Sequence, residues 1–147
     1  MDKCVEFLTA RGVTLKGHPL CWHTVCADWL LSYDDKTIFA KQLERINREV
    51  SHFKGKITYW DVINETVILP VFNKYDNAVS RICARYGRMT LIKEVFAAAK
   101  AADPEAKLLI NDFNTTDKYE KVIEECLQAG VPIDAIGIQS HQHQGYW

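Results

Sequence analysis

Short apolar runs alternate with longer segments of helical spacing along most of the chain. Residues 3–10 read as the end of a helix that Gly12 stops. Val13 to Trp22 reads as a strand. Asp34-Asp35 can cap a helix to about Phe53, with Ile38, Phe39, Leu43, Ile46 and Val50 repeating at helical intervals. Lys54-Gly55-Lys56 closes it, and Ile57 to Ile63, rich in β-branched and aromatic residues, reads as a buried strand. A mixed loop over 66–79 carries Pro70. A helix follows from about Ser80 to Ala102, open to a break around Tyr86-Gly87. Leu108 to Ile110 predicts a third strand, Thr115 or Thr116 a capped helix through Leu127 with Gly130 as its stop, and Ile133 to Ile138 a fourth strand. Ser140 to Trp147 reads as the loop after it.

Strands that alternate with helices imply a parallel sheet with right-handed crossovers. The fold class is therefore α/β with about four parallel strands, either a small doubly wound sheet or part of a closed (β/α) barrel. Side chains fit for chemistry gather just past the strand ends: Trp22-His23, Asn64-Glu65, Asn111-Asp112, and Gln139 with His141. A (β/α)8 barrel builds its active site on that rim. A doubly wound nucleotide fold would offer a glycine-rich phosphate turn, and no Gly-x-Gly-x-x-Gly or phosphate-loop lysine motif occurs. The pattern favours a partial barrel.

Composition narrows the function classes. A formal net charge of -1 lacks the basic excess of a nucleic-acid binder. No run reaches the roughly 18 apolar residues of a membrane span, and the first residues lack the apolar stretch of a secretory signal. Five cysteines at irregular spacing do not make a disulfide framework, and most of them read as buried thiols. His18, Cys21, His23 and Cys26 are metal ligands by type. Strand alternation would set His18 on the opposite face from Cys21 and His23, so no metal site is expected there.

Glu65 is the first catalytic candidate. Breaking a glycosidic bond needs an acid to protonate the departing oxygen, and a carboxyl at a strand end can serve. An Asn beside it can hold a sugar hydroxyl. On its own, an Asn-Glu pair reads equally as a solvated acid opening a loop.

Four motifs in order change that weight. Gly17-His18-Pro19-Leu20-Cys21-Trp22-His23, Trp60-Asp61-Val62-Ile63-Asn64-Glu65, Leu109-Ile110-Asn111-Asp112-Phe113-Asn114 and Gly137-Ile138-Gln139-Ser140-His141 together resemble glycoside hydrolase family 10, the retaining endo-β-1,4-xylanases. The resemblance spans nearly the whole chain. It implies one partial catalytic barrel domain over residues 1–147, covering strands three to six and lacking the first two and last two βα units. It implies Glu65 as general acid/base, Asn64 as a ligand of the sugar 2-hydroxyl, and Trp22 and His23 as walls of the same subsite. It also implies Gln139 and His141 as a pair that positions the nucleophile. Phe113 stands where the family usually has Tyr, which removes a hydroxyl.

The nucleophile is expected beyond Trp147, with Asp112 or Asp28 the weaker alternatives. Trp60 reads as core, Trp29 as rim packing or sugar contact, and Asp61 as the partner of a basic or donor group below the site. His18 and His52 read as structural, and His143 and Trp147 as possible walls of the site. The implied partner is xylan or a xylo-oligosaccharide, with no cofactor, nucleic acid or membrane, and with secretion as the family's habit. Part of a barrel would expose sheet edges, so self-association or a complementing chain is expected. A non-catalytic fragment and another β-glycanase are the alternatives, and the isolated chain is expected to be inactive or very weak.

Overall fold

A computed structural model describes residues 1–141. Four parallel strands lie in chain order: β1 (Lys16–Gly17), β2 (Tyr59–Asn64), β3 (Lys107–Asp112) and β4 (Ala135–Ile138). Five helices accompany them: α1 (Asp2–Thr9), α2 (Asp35–His52), α3 (Ala78–Tyr86), α4 (Arg88–Ala102) and α5 (Asp117–Gln128). Sequential neighbours without reversal are the order of a barrel wall, not of a doubly wound sheet.

The helices start where the sequence supplies caps. Asp34 accepts from the Thr37 amide at 2.7 Å and Asn77 from the Ser80 amide at 2.8 Å. Such caps each contribute about 1 kcal/mol. Thr116 caps α5 through the Lys118 amide at 3.3 Å. On α2 the residues buried at intervals of four are Ile38, Gln42, Ile46 and Val50, with Phe39 and Leu43 packing at the margin. They meet α4, which buries Leu91, Ile92, Val95, Phe96 and Ala99 and in turn packs on β2 and β3.

Two expectations need correction, and an allowed break becomes definite. The predicted strand over Val13–Trp22 shrinks to Lys16–Gly17, with one further bridge from Cys21 to Ile63. Pro19 has no amide to give to a ladder, and the chain re-enters pairing through Leu20, whose amide reaches Asp61 O at 2.9 Å. The alternation that separated His18 from Cys21 therefore does not apply. The helix over 80–102 does break where the sequence allowed it, into two helices divided at Gly87, whose φ of 87° no other residue type adopts cheaply. β4 begins at Ala135 rather than Ile133.

The register of β2 against β3 carries one irregularity. Asp61 pairs with Leu109 and Asn64 with Asn111, so three steps on β2 match two on β3. This bulge keeps Asp61 and Asn64 on one side of the sheet, where regular alternation would separate them. That side is the inner face, with Leu109, Asn111, Ala135 and Gly137. Trp60, Leu108 and Ile110 face the helices and join the core. On β4 the alternate residues Ile136 and Ile138 are more than half exposed.

Candidate functional site

The site is assembled at the carboxyl ends of β2, β3 and β4, with the segment after β1 closing over it. At the end of β2 the chain turns through Glu65, a non-glycine residue with φ of 59°. Such a conformation costs about 1–3 kcal/mol unless its surroundings hold it. Here the Glu65 amide donates to Asn111 O at 2.8 Å, and Leu69 closes the turn on Glu65 O at 3.2 Å. Asp112 holds the next two residues. Its Oδ2 accepts from the Val67 amide at 3.0 Å and from Thr66 Oγ1 at 3.4 Å, while Oδ1 takes the Asn114 amide at 3.0 Å. Burial pushes the Asp112 carboxyl above its ordinary range, opposed by these amide bonds.

The Glu65 side chain is gripped from both sides. Trp22 Nε1 donates to Oε2 at 2.9 Å, and Gln139 Nε2 donates to Oε1 at 3.1 Å. His23 Nε2 stands 3.7 Å from Oε2. His23 is itself buried against the Phe72 ring, with centroids 4.2 Å apart, and its Nδ1 has no partner among the described residues. Desolvation holds its pKa below the usual histidine value, with the Glu65 and Asp112 carboxylates pulling the other way. A neutral imidazole and two neutral donors thus surround a carboxyl whose side chain retains 13% exposure. Such a group can hand a proton to an oxygen brought into the cleft.

A chain of amides continues from there. Gln139 Nε2 also donates to Asn64 Oδ1 at 3.1 Å, and Asn111 Nδ2 donates to the same oxygen at 3.1 Å. His141 donates from Nε2 to Gln139 Oε1. Beneath them Asp61, fully buried, accepts from His18 Nδ1 at 2.7 Å and from Lys16 Nζ at 2.8 Å.

The structure therefore brings Glu65, Trp22, His23, Asn64 and Gln139 together, with His141 attached through Gln139. Gln139 grips Glu65 here. His18, read from sequence as structural, does bind Asp61, yet its side chain is 41% exposed and its ring lies 6.2 Å from that of Trp22. The signal that could have found it is its place on the inner-face side of β1, which the overlong strand obscured. Trp60 is buried as expected, and Trp29 is 60% exposed, edge-on to Tyr33. His143 and Trp147 lie outside the described residues.

A cavity of about 650 Å³ opens between the segment after β1 and α2, and Glu65 does not line it. Its cations are engaged elsewhere: Arg45 on Leu20 O, Arg48 on Glu49, and Lys41 over the Tyr33 ring. Among the described residues no group of three or more His, Cys, Asp or Glu side chains converges as metal ligands do, and no helix is long and apolar enough to cross a membrane.

The sequence profile described as glycosyl hydrolase family 10 matches residues 1–147. The chain belongs to glycosyl hydrolase family 10. A β-1,4-xylanase of Dictyoglomus thermophilum is 34% identical over 95% of this chain and 40% of its own length. Endo-1,4-beta-xylanase 3 of Hypocrea jecorina is 33% identical over 98% of this chain and 42% of its own. Among solved structures, a family 10 protein from Paenibacillus barcinonensis superposes with a TM-score of 0.81 at 31% identity, over 95% of this chain and 46% of that one. A psychrophilic family 10 endo-beta-1,4-xylanase gives 0.80 at 27% identity, over 95% and 48%. The chain spans less than half the length of these relatives. Its sheet is thus part of a (β/α)8 barrel wall, as the alternation of elements predicts.

Proposed function

We propose that these residues form the acid/base half of a retaining endo-1,4-β-xylanase site. The observation that carries this reading is the Glu65 carboxyl held between Trp22 Nε1 and Gln139 Nε2 at the mouth of the barrel wall. In the proposed reaction Glu65 gives its proton to the glycosidic oxygen as a second carboxylate bonds to the anomeric carbon and displaces that oxygen. It then takes a proton from the water that releases the sugar. Asn64 receives the sugar 2-hydroxyl, and Trp22 and His23 wall the subsite. Gln139 and His141 take the role of positioning the nucleophile, as the family resemblance implies.

Retention needs a second carboxyl about 5–5.5 Å from the first. Asp61 and Asp112 are both fully buried and committed to other donors. Neither suits that role, and the family resemblance puts the nucleophile beyond Trp147. Xylan is the proposed polymer and the extracellular space the proposed compartment, on the strength of the family. Alone, the chain is expected to hydrolyse xylan very weakly or not at all.

The more than half-exposed Ile136 and Ile138 on the edge strand β4 support a further reading, that this face pairs with a second copy or a complementing chain. Sedimentation at two concentrations tests it, and a monomer throughout counts against pairing between copies. The catalytic reading is tested by titrating xylobiose into the isotopically labelled chain and assaying xylan beside Glu65→Gln. Shifts confined to Trp22, His23, Asn64 and Gln139, and loss of any measured hydrolysis in Glu65→Gln, are expected. Hydrolysis that survives the substitution would remove Glu65 from the mechanism.

A further inference from the structure

The three amides at the centre of the site have orientations that the Asp61 carboxylate dictates. Asp61 Oδ2, paired with Lys16 Nζ at 2.8 Å, only accepts hydrogen bonds. The Asn111 atom 3.5 Å from it is therefore its NH2 group, and that nitrogen meets Asn64 Oδ1 at 3.1 Å. Gln139 Nε2 donates to the same oxygen at 3.1 Å and to Glu65 Oε1 at 3.1 Å.

Asn64 thus has its oxygen taken twice. Asn64 is only 1% exposed, and its Nδ2 has no partner among the described residues. The geometry points to Asn111 as a positioning residue: held by Asp61, it fixes the polarity of Asn64 so that NH2, and not oxygen, is offered to the cleft. Gly137 makes the room, because a Cβ there would stand 2.5 Å from Asn111 Oδ1. The ligand group this polarity selects is an oxygen able to accept, such as a sugar hydroxyl or ring ether. A group that only donates is turned away. The identity of that ligand rests on the glycosidase reading, whereas the orientation of the amides does not.

Two arms test this separately. The first needs no sugar. Asn111→Asp puts a carboxylate against Asp61 and the Asn64 oxygen, whereas Asn111→Ala only deletes a donor. If Asn111 donates, the folding equilibrium of Asn111→Asp at pH 7 falls at least about tenfold below that of Asn111→Ala, and the gap narrows toward pH 4 as carboxylates protonate. Urea titration measures both, and failure of only the Asp variant to fold is the same result in extreme form. An Asp variant more stable than the Ala variant would overturn the assignment.

The second arm compares xylobiose with its 2-deoxy counterpart, followed on the Trp22 indole N–H signal. The native chain should prefer the hydroxylated sugar by roughly five- to tenfold. In Asn111→Ala that preference should collapse while affinity for the deoxy sugar holds. An unchanged preference, or an equal loss for both sugars, refutes positioning. If neither sugar moves the native signal, the glycosidase reading fails, and the first arm still decides the polarity of Asn64.

Discussion

Gly17 and Trp60 occupy paired positions on β1 and β2, so their side chains leave the same face of the sheet. The Trp60 indole lies flat over the space a Gly17 side chain would fill. A Cβ at Gly17 would stand 2.1 Å from Trp60 Cε3, 2.2 Å from Cζ3 and 2.8 Å from Cδ2. Three ring atoms inside contact distance cannot be relieved by a small torsion. Trp60 is 3% exposed and has Phe53 beside it at a centroid distance of 6.4 Å, so the ring can yield only by leaving that packing for the cavity of about 310 Å³ that it lines with Gly17. Overpacking of this kind costs about 1–3 kcal/mol, and a rigid buried ring puts Gly17→Ala at the upper end. For a chain of this size about 3 kcal/mol corresponds to a fall of roughly 6–12 °C in Tm. Urea denaturation followed by far-UV circular dichroism gives the free energy. Repeating it in a Trp60→Leu background isolates the cause, since the smaller side chain vacates the clash and should bring the cost of Gly17→Ala below about 1 kcal/mol. A cost under about 1 kcal/mol in the native background, or the same cost in both, would refute the claim that the ring excludes a methyl group.

Asp112→Asn preserves shape but loses one acceptor. Its NH2 must face either the Asn114 amide or the Val67 amide, so a loss of about 1–3 kcal/mol is expected in urea titration despite the relief of a buried charge. His23 has its pKa lowered by burial, so the unfolded chain binds the proton more readily. Its contribution to stability is full above about pH 6.5, the unfolded value, and declines as pH falls through the depressed folded value. The stability of His23→Phe should decline less steeply across that window, and equal slopes would exclude His23 as the source. Among the thiols, burial pushes Cys21 up to about 12 and Cys126 to about 11, while Cys4 is exposed. Mass-resolved alkylation at pH 8 should label Cys4 first and leave Cys21 and Cys126 unlabelled until the chain is unfolded.

The wall of the barrel was legible because its elements obey strong periodicities. Ile38, Ile46 and Val50 mark the buried face of α2, and the apolar run ending at Asn64 marks β2. What escaped was irregular. The strand over Val13–Trp22 looks continuous by composition, but Pro19 removes a donor and only two residues enter the sheet. The break at Gly87 was visible as a possibility, since a lone glycine does not announce its φ. The grouping of Glu65, Trp22, Asn64 and Gln139 came from motif resemblance, because side chains separated by 43 and 74 positions carry no local signal of their contact. Asp61 does partner basic groups as its sequence position suggests, but which groups, Lys16 and His18, depends on the bulge in β2 and on how the chain turns at Pro19. Neither is encoded in a pattern of alternation.

The extra residue in β2 also bears on how this wall finds its alignment during folding. Two parallel strands of apolar residues can slide past each other by two positions and bury nearly the same surface. Here a slide must carry a three-for-two mismatch with it. It would pull Asn64 off Asn111 and leave the Asp61 carboxylate without its amide partner at the same moment. Misaligned pairings of β2 and β3 are thereby penalised twice, at both ends of the irregularity. The bulge makes the correct register distinguishable to the chain before any ligand is present.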